Sequence, residues 1–239
     1  MATNYEPLGQ AHPILLRDAN LLLSNDYLPF EAGYAVTSDG MHHVAAHTYM
    51  KGASGKMIDW WFGFIHTTEQ YKWWHPRDHF FSDWDGPRDN NSTYIGGTHL
   101  VKEQIGPQTS SLAISFLDPG SYFGANWKEE FKINNYSTAV CGTVNAWDDE
   151  SGGRMRLGHL IHLVQDTADG CRMRSRFWLG DLEPIDGQPL WTTVEERAKL
   201  IDPSLARGLL QHASEEMSIL GSQLPELYKK YSKAGAANI

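Results

Sequence analysis

Residues 202–220 read Asp-Pro-Ser-Leu-Ala-Arg-Gly-Leu-Leu-Gln-His-Ala-Ser-Glu-Glu-Met-Ser-Ile-Leu. Asp202 followed by Pro203 is a helix-start signal, because an acidic cap satisfies free amides and proline at the first helical position sacrifices no hydrogen bond. Leu205, Leu209, Leu210, Ala213, Met217 and Leu220 then recur at helical spacing, forming one apolar stripe. The stretch predicts a long helix to about Leu220. Gly221 and Pro225 are placed to end or bend it, and Leu227 to Ser232 continues as a basic helical tail. A shorter helix is expected over Thr193 to Leu200.

Upstream of this helix the period changes. Thr98–Ile105, Leu112–Phe116, Phe131–Ile133, Ser137–Val144, Met155–Gln165 and Cys171–Leu179 read as strands. Asp118-Pro119-Gly120, Asp149 to Gly153 and Asp169-Gly170 are turn sequences between them. Tyr34–Val36 and Met41–Tyr49 read as two further short strands. Ser54 to Trp74 reads as helical, since Met57, Trp60, Trp61 and Phe64 share one face, and Pro76 ends the pattern. Strands segregated from helices indicate an α+β fold rather than α/β. A curved antiparallel sheet around one long C-terminal helix fits this order, with a cavity between them. Residues 1–35 are expected to form an N-terminal arm and residues 36–239 the main domain.

Composition narrows the function. The chain has 239 residues, 41% of them hydrophobic, and a net charge of -9. Such an acidic balance without a basic stripe argues against nucleic acid and against an anionic membrane surface. The N-terminal residues lack a signal-peptide pattern and no apolar run approaches a membrane span, so a soluble cytoplasmic protein is expected. Two cysteines, Cys141 and Cys171, do not make a disulfide scaffold. Nine tryptophans are unusual, and more than half fall between Trp60 and Trp84. They read either as an aromatic core or as a pocket wall for a flat ligand.

Four places carry residues suited to chemistry. His212 and Glu216 are four apart on the long helix, so they project the same way, and they border its apolar stripe. They form either a metal half-site or an ion pair. His75 and His79 flank Pro76 in Trp-Trp-His-Pro-Arg-Asp-His, and the proline makes one continuous helix through both unfavourable. One of the two is expected to reach a metal and the other to pack beside it. Spacing does not choose between them. Glu103, if it points inward from its strand, needs a cationic partner. His159 and His162 are three apart on a strand, so at most one faces the cavity.

These motifs, taken in order, resemble the diacetylphloroglucinol hydrolase and phloretin hydrolase family. The resemblance rests on the Trp-His-Pro-Arg-Asp-His run, the segment from Thr98-His99 to Glu103, the strand Met173 to Gly180, and the His212-to-Glu216 helix. It covers roughly Val44 to Glu216. It implies a helix-grip fold, similar to the Bet v 1 and START folds. It also implies one zinc per chain, held by two histidines and two glutamates: His75, Glu103, His212 and Glu216, with His79 as the alternative to His75. The implied reaction cleaves the carbon–carbon bond between a phenolic ring and an acyl group. Asp78 is expected to touch a ring hydroxyl and His162 to be the pocket histidine. Trp61, Trp74, Trp178 and His79 are expected to hold the substrate. It further implies a homodimer, which family members form with help from an N-terminal region expected to be shorter here, where the first histidine motif comes at His75.

Cleavage of an aryl–acyl bond needs a proton delivered to the ring carbon and a hydroxyl delivered to the acyl carbon. Glu103, His162 and Asp78 are the residues expected to handle those protons. There are two rival readings: a carrier of apolar or aromatic ligands on the same fold, which needs no metal and makes the pairing of His212 with Glu216 a matter of chance, and an iron or manganese enzyme using the same ligands, since His and carboxylate sites accept several metals.

Overall fold

The computed structural model describes residues 12–86, 93–183 and 190–232. The first eleven residues of the expected arm therefore fall outside the described residues. Eight strands form one antiparallel sheet. They are β1 (Gly33–Val36), β2 (His42–Lys51), β3 (His79–Trp84), β4 (Thr98–Ile105), β5 (Gln108–Leu117), β6 (Thr138–Trp147), β7 (Arg154–Thr167) and β8 (Gly170–Leu179). Their order across the sheet is β1-β2-β8-β7-β6-β5-β4-β3. The helices are α1 (Gly55–Phe64), α2 (Thr68–Trp74), α3 (Gly120–Phe123), α4 (Trp127–Ile133), α5 (Val194–Lys199) and α6 (Pro203–Tyr231). A short 3-10 segment covers Leu16–Leu23.

Both faces of the sheet are covered, and strand alternation divides the core in two. Val140, Leu160, Val164 and Met173 pack on one face with Trp61, Leu209 and Met217 from α1 and α6. Their neighbours Cys141, Ile161 and Leu163 pack on the opposite face with Leu22, Phe123 and Phe131. Burial on both faces is why β7 reads as an almost continuous apolar run rather than an alternating one.

The long helix starts where Asp202 predicts, with the carboxylate accepting the Ser204 amide at 2.7 Å. It does not stop at Leu220 but runs through Gly221 and Pro225 to Tyr231. Two glycines set its distance from the sheet. A Cβ on Gly208 would stand 2.6 Å from the Gly106 Cα, and one on Gly221 would stand 2.7 Å from the Met50 side chain. Side chains at these positions would hold the helix off the sheet.

Three local expectations change. The helix expected over Ser54 to Trp74 is two helices, because Thr67 and Gln70 form a capping box that starts α2 afresh. Phe131–Ile133 is not a strand but the end of α4. Trp127 and Phe131 meet edge to face one turn apart with ring centroids at 5.0 Å, a helical contact that a three-residue window does not reveal. Strand β3, directly after the proline turn, has no counterpart among the expected strands.

Candidate active site

The site forms where β3 and β4 meet α6. His79 opens β3 and pairs with Glu103 of β4 across the antiparallel ladder. The next strand partner of Glu103 is Ser110. His212 and Glu216 descend from α6 by one helical turn onto the same place. The His79 Nε2 lies 3.5 Å from Glu103 Oε2 and 3.6 Å from Glu216 Oε2. The His212 Nε2 lies 3.4 Å from Glu103 Oε2 and 3.8 Å from Glu216 Oε2. All four residues are buried. Yet both Nε2 atoms lack a hydrogen-bond partner, although each is closed off from solvent.

Buried polar atoms without partners are costly, and two imidazole nitrogens aimed at two carboxylates are arranged for a cation between them. His79, Glu103 and His212 each offer a ligand atom, all within 4.8 Å of one another. The donor set of imidazoles and carboxylates suits zinc and related divalent ions.

His75 stands apart from this quartet. Its Nε2 faces Asp78 and Glu215, each at 3.5 Å, and its Nδ1 accepts the Asp78 amide at 3.3 Å. Its ring stacks on His212 at 5.2 Å. His75, Asp78 and His212 form a second group of metal-type atoms. The Asp78 carboxylate there is already bound by the Arg77 guanidinium through two 2.8 Å hydrogen bonds. Arg77 also bonds Glu215. So Asp78 does not face the cavity where a ring hydroxyl would lie. It sits behind His212, with Oδ2 3.9 Å from Nδ1.

Tyr71 is the residue sequence reading missed. Its hydroxyl donates to Glu103 Oε2 at 2.6 Å, and its ring stacks on His79 with centroids 3.7 Å apart. The His79 ring is also held from behind, its Nδ1 3.0 Å from the Tyr71 carbonyl, which fixes which nitrogen faces the carboxylates. No spacing motif links Tyr71 to Glu103, since they lie 32 residues apart.

Charge and burial compete here. Burial works against the His212 imidazolium, but Glu103, Glu216 and Asp78 outweigh it and raise the pKa. Burial likewise works to raise Glu103, while His212, His79 and the Tyr71 hydroxyl hold the carboxylate well below its ordinary range. Tyr71 is pushed well above the usual phenol value by burial and by Glu103 and Glu216, so it stays protonated.

Beside the quartet lies a cavity of about 120 Å³, walled by the sheet, α1, α2 and α6. An apolar cavity of about 150 Å³ holds a benzene ring, so this one has the scale of a single ring. Trp74, Tyr71 and His162 line it together with Glu103, His212 and Glu216. His162 is held by Ser175 Oγ at 2.8 Å from Nδ1, and burial drops its pKa to about 4. His159 faces the other side, bonded to Tyr122 and Asp181. Trp61 is fully buried between helices and touches Phe64 and Trp74 rather than the cavity. Trp178 is on the opposite face of the sheet. It stacks on His43 and donates to the Ile14 carbonyl, so it is not a substrate residue. Alternation along β8 puts Phe177, not Trp178, at the cavity wall.

No described helix is long and apolar enough to cross a membrane.

A family model described as DAPG hydrolase PhiG domain matches residues 14–229. Phloretin hydrolase of Eubacterium ramulus is 30% identical over 207 residues, covering 82% of this chain and 70% of that protein. The 2,4-diacetylphloroglucinol hydrolase of Pseudomonas protegens is 24% identical, covering 92% of this chain and 75% of that protein. A protein of the same name from Pseudomonas sp is also 24% identical, with 92% and 78% covered. The matched span contains every residue of the buried quartet, and the chain belongs to the family of the DAPG hydrolase PhiG domain.

Proposed function

We propose that this chain is a zinc-dependent hydrolase that cleaves the carbon–carbon bond between a phloroglucinol-type ring and its acyl group. The observation that carries the reading is the convergence of His79, Glu103, His212 and Glu216, with two orphaned imidazole nitrogens, at the wall of a ring-sized cavity. These four residues would hold the ion, with His79 in the place that the resemblance gave first to His75. When bound, zinc polarises an acyl carbonyl and makes water a stronger acid. The long helix laid across one face of an antiparallel sheet is what a helix-grip fold requires, and it supports that assignment.

The names of the relatives point to the substrate class. Phloretin and 2,4-diacetylphloroglucinol are both ketones on hydroxylated rings, and hydrolysis of such a ketone breaks the ring–acyl bond. The ring carbon gains hydrogen and the acyl carbon gains hydroxyl, so water is consumed and a carboxylic acid is released.

The side chains divide this work. Neutral His162, anchored by Ser175, presents its ring to the cavity and accepts a phenolic hydroxyl. Trp74 lines the same cavity with an unpartnered buried Nε1 that donates to a ring oxygen. Tyr71 stays protonated and shares its hydrogen with Glu103, so the pair stores a proton beside the ring carbon. Asp78 acts through His212 and does not touch substrate. The surrounding apolar wall excludes bulk water, which strengthens every one of these interactions.

The test is product analysis with zinc-loaded protein and acylphloroglucinols. Equal amounts of free ring and carboxylic acid, with one deuterium entering the ring in heavy water, support the reading. Stoichiometric zinc with no cleavage of any such ketone overturns it.

A further inference from the structure

A second group of ligand-type atoms adjoins the buried quartet, and His212 belongs to both. Its Nε2 faces Glu103 and Glu216, while its Nδ1 faces Asp78. The outer group adds His75, whose Nε2 lies 3.5 Å from both Asp78 Oδ2 and Glu215 Oε2. Neither that atom nor His212 Nδ1 has a hydrogen-bond partner, and both are closed off from solvent. Charge-assisted hydrogen bonds would draw such pairs to about 2.8 Å. Two ligands of one tetrahedral zinc, each about 2.1 Å from it, stand about 3.4 Å apart. The spacing around His75 is therefore that of cation ligands rather than of a closed ion pair.

This outer group leads in from the surface. Side-chain exposure falls from 65% at Arg77 to 35% at Glu215, 11% at Asp78 and 2% at His75. One surface depression is lined by His75, Arg77 and Glu215, and another by Arg77, Asp78 and His212. Arg77 borders both, and its guanidinium bonds the carboxylates of Asp78 and Glu215. An exposed guanidinium returns to water at little cost. An arriving divalent ion can take its place on both carboxylates and leave neither charge unpaired.

Resting on the zinc reading above, we propose that His75, Asp78 and Glu215 form an entry station for the divalent cation of the quartet, with Arg77 as the cation it displaces and His212 as the ring shared by station and quartet. His75 holds the ion on its way in and not at rest. Both histidines of the Pro76 turn then have a use: His79 in the resident site and His75 outside it. The two carboxylates at the mouth also concentrate cations, an effect that speeds association by about tenfold or more.

The experiment strips the protein of metal and follows zinc uptake by rapid mixing, with tryptophan fluorescence as the signal, and then release to excess chelator. Elemental analysis gives the zinc content at equilibrium. A route is used in both directions, so its loss slows uptake and release together and leaves affinity unchanged. His75→Ala is expected to slow both by the same factor, about tenfold or more, with one zinc per chain retained. Glu215→Gln, at a more exposed position, slows both by a smaller factor that shrinks as salt is raised, and it suffices if His75→Ala fails to fold. Arg77→Met is expected to speed uptake. Uptake unchanged in both His75→Ala and Glu215→Gln overturns the proposal. So does faster release with lost zinc in His75→Ala, which would make His75 a resident ligand. Wild type that takes up no zinc overturns the proposal and the hydrolase reading together. The expected rate changes without cleavage of any ketone support the station and overturn the hydrolase reading alone.

Discussion

The Tyr71 hydroxyl donates a 2.6 Å hydrogen bond to the Glu103 carboxylate, while its ring lies flat on His79. One side chain thus braces one member of the buried quartet and binds another. Glu103 faces His212 and His79 as well, so Tyr71 holds one oxygen of a carboxylate whose charge the two histidines use.

Tyr71→Phe removes the hydroxyl and keeps the stacked ring. Metal content is expected to stay at the wild-type level, while kcat falls about a hundredfold or more, the usual range for a lost proton-transfer group. Elemental analysis alongside turnover checks both. Loss of the metal would show that Tyr71 serves the ligand geometry only.

Trp178 gives a contrasting outcome. It packs on the far face of the sheet against His43 and the Ile14 carbonyl. Trp178→Phe is expected to cost about 1–3 kcal/mol of stability, from lost volume and one hydrogen bond, with KM unchanged. Denaturant unfolding and steady-state kinetics separate the two effects. A raised KM at normal stability would return Trp178 to the substrate pocket.

Gly208 lies against Gly106 at the crossing of α6 over the sheet. A Cβ placed 2.6 Å from backbone cannot be relieved by a rotamer change. Gly208→Ala is expected to destabilise by about 1–3 kcal/mol or more and to weaken metal binding, because the same helix carries His212 one turn and Glu216 two turns further on. Thermal unfolding with and without zinc reads both.

Acid sensitivity follows from His43. Burial, with Arg176 nearby, lowers its pKa to about 3 from an ordinary 6.5. The unfolded chain therefore binds a proton that the folded one refuses between those values. Stability is full above about pH 6.5 and falls as pH drops toward 3, by up to about 1.4 kcal/mol per pH unit. His43→Gln should lose less stability than wild type between pH 6.5 and 4.5. Equal losses in urea titrations at both pH values would assign the acid sensitivity to other groups.

Much of this was readable in the residues. The long helix followed from Asp202-Pro203 and its leucine stripe, and the shared face of His212 and Glu216 followed from a one-turn spacing. The choice between His75 and His79 did not. It depends on how the chain leaves the Pro76 turn, and only the cross-strand pairing of His79 with Glu103 settles the direction in which His79 points. Strand β3 is six residues long and its buried positions do not alternate strictly, so no period announced it. Tyr71 and Glu103 meet through tertiary packing, to which local spacing is blind. Asp78 was legible as a polar residue near the site, but its capture by the adjacent Arg77 was not.

His79, rather than His75, is proposed as the first histidine of the metal quartet. Elemental mass spectrometry on purified wild type, His79→Ala and His75→Ala tests it directly. One zinc per chain is expected in wild type, with near-complete loss in His79→Ala and retention in His75→Ala. Zinc retained in His79→Ala and lost in His75→Ala would contradict it.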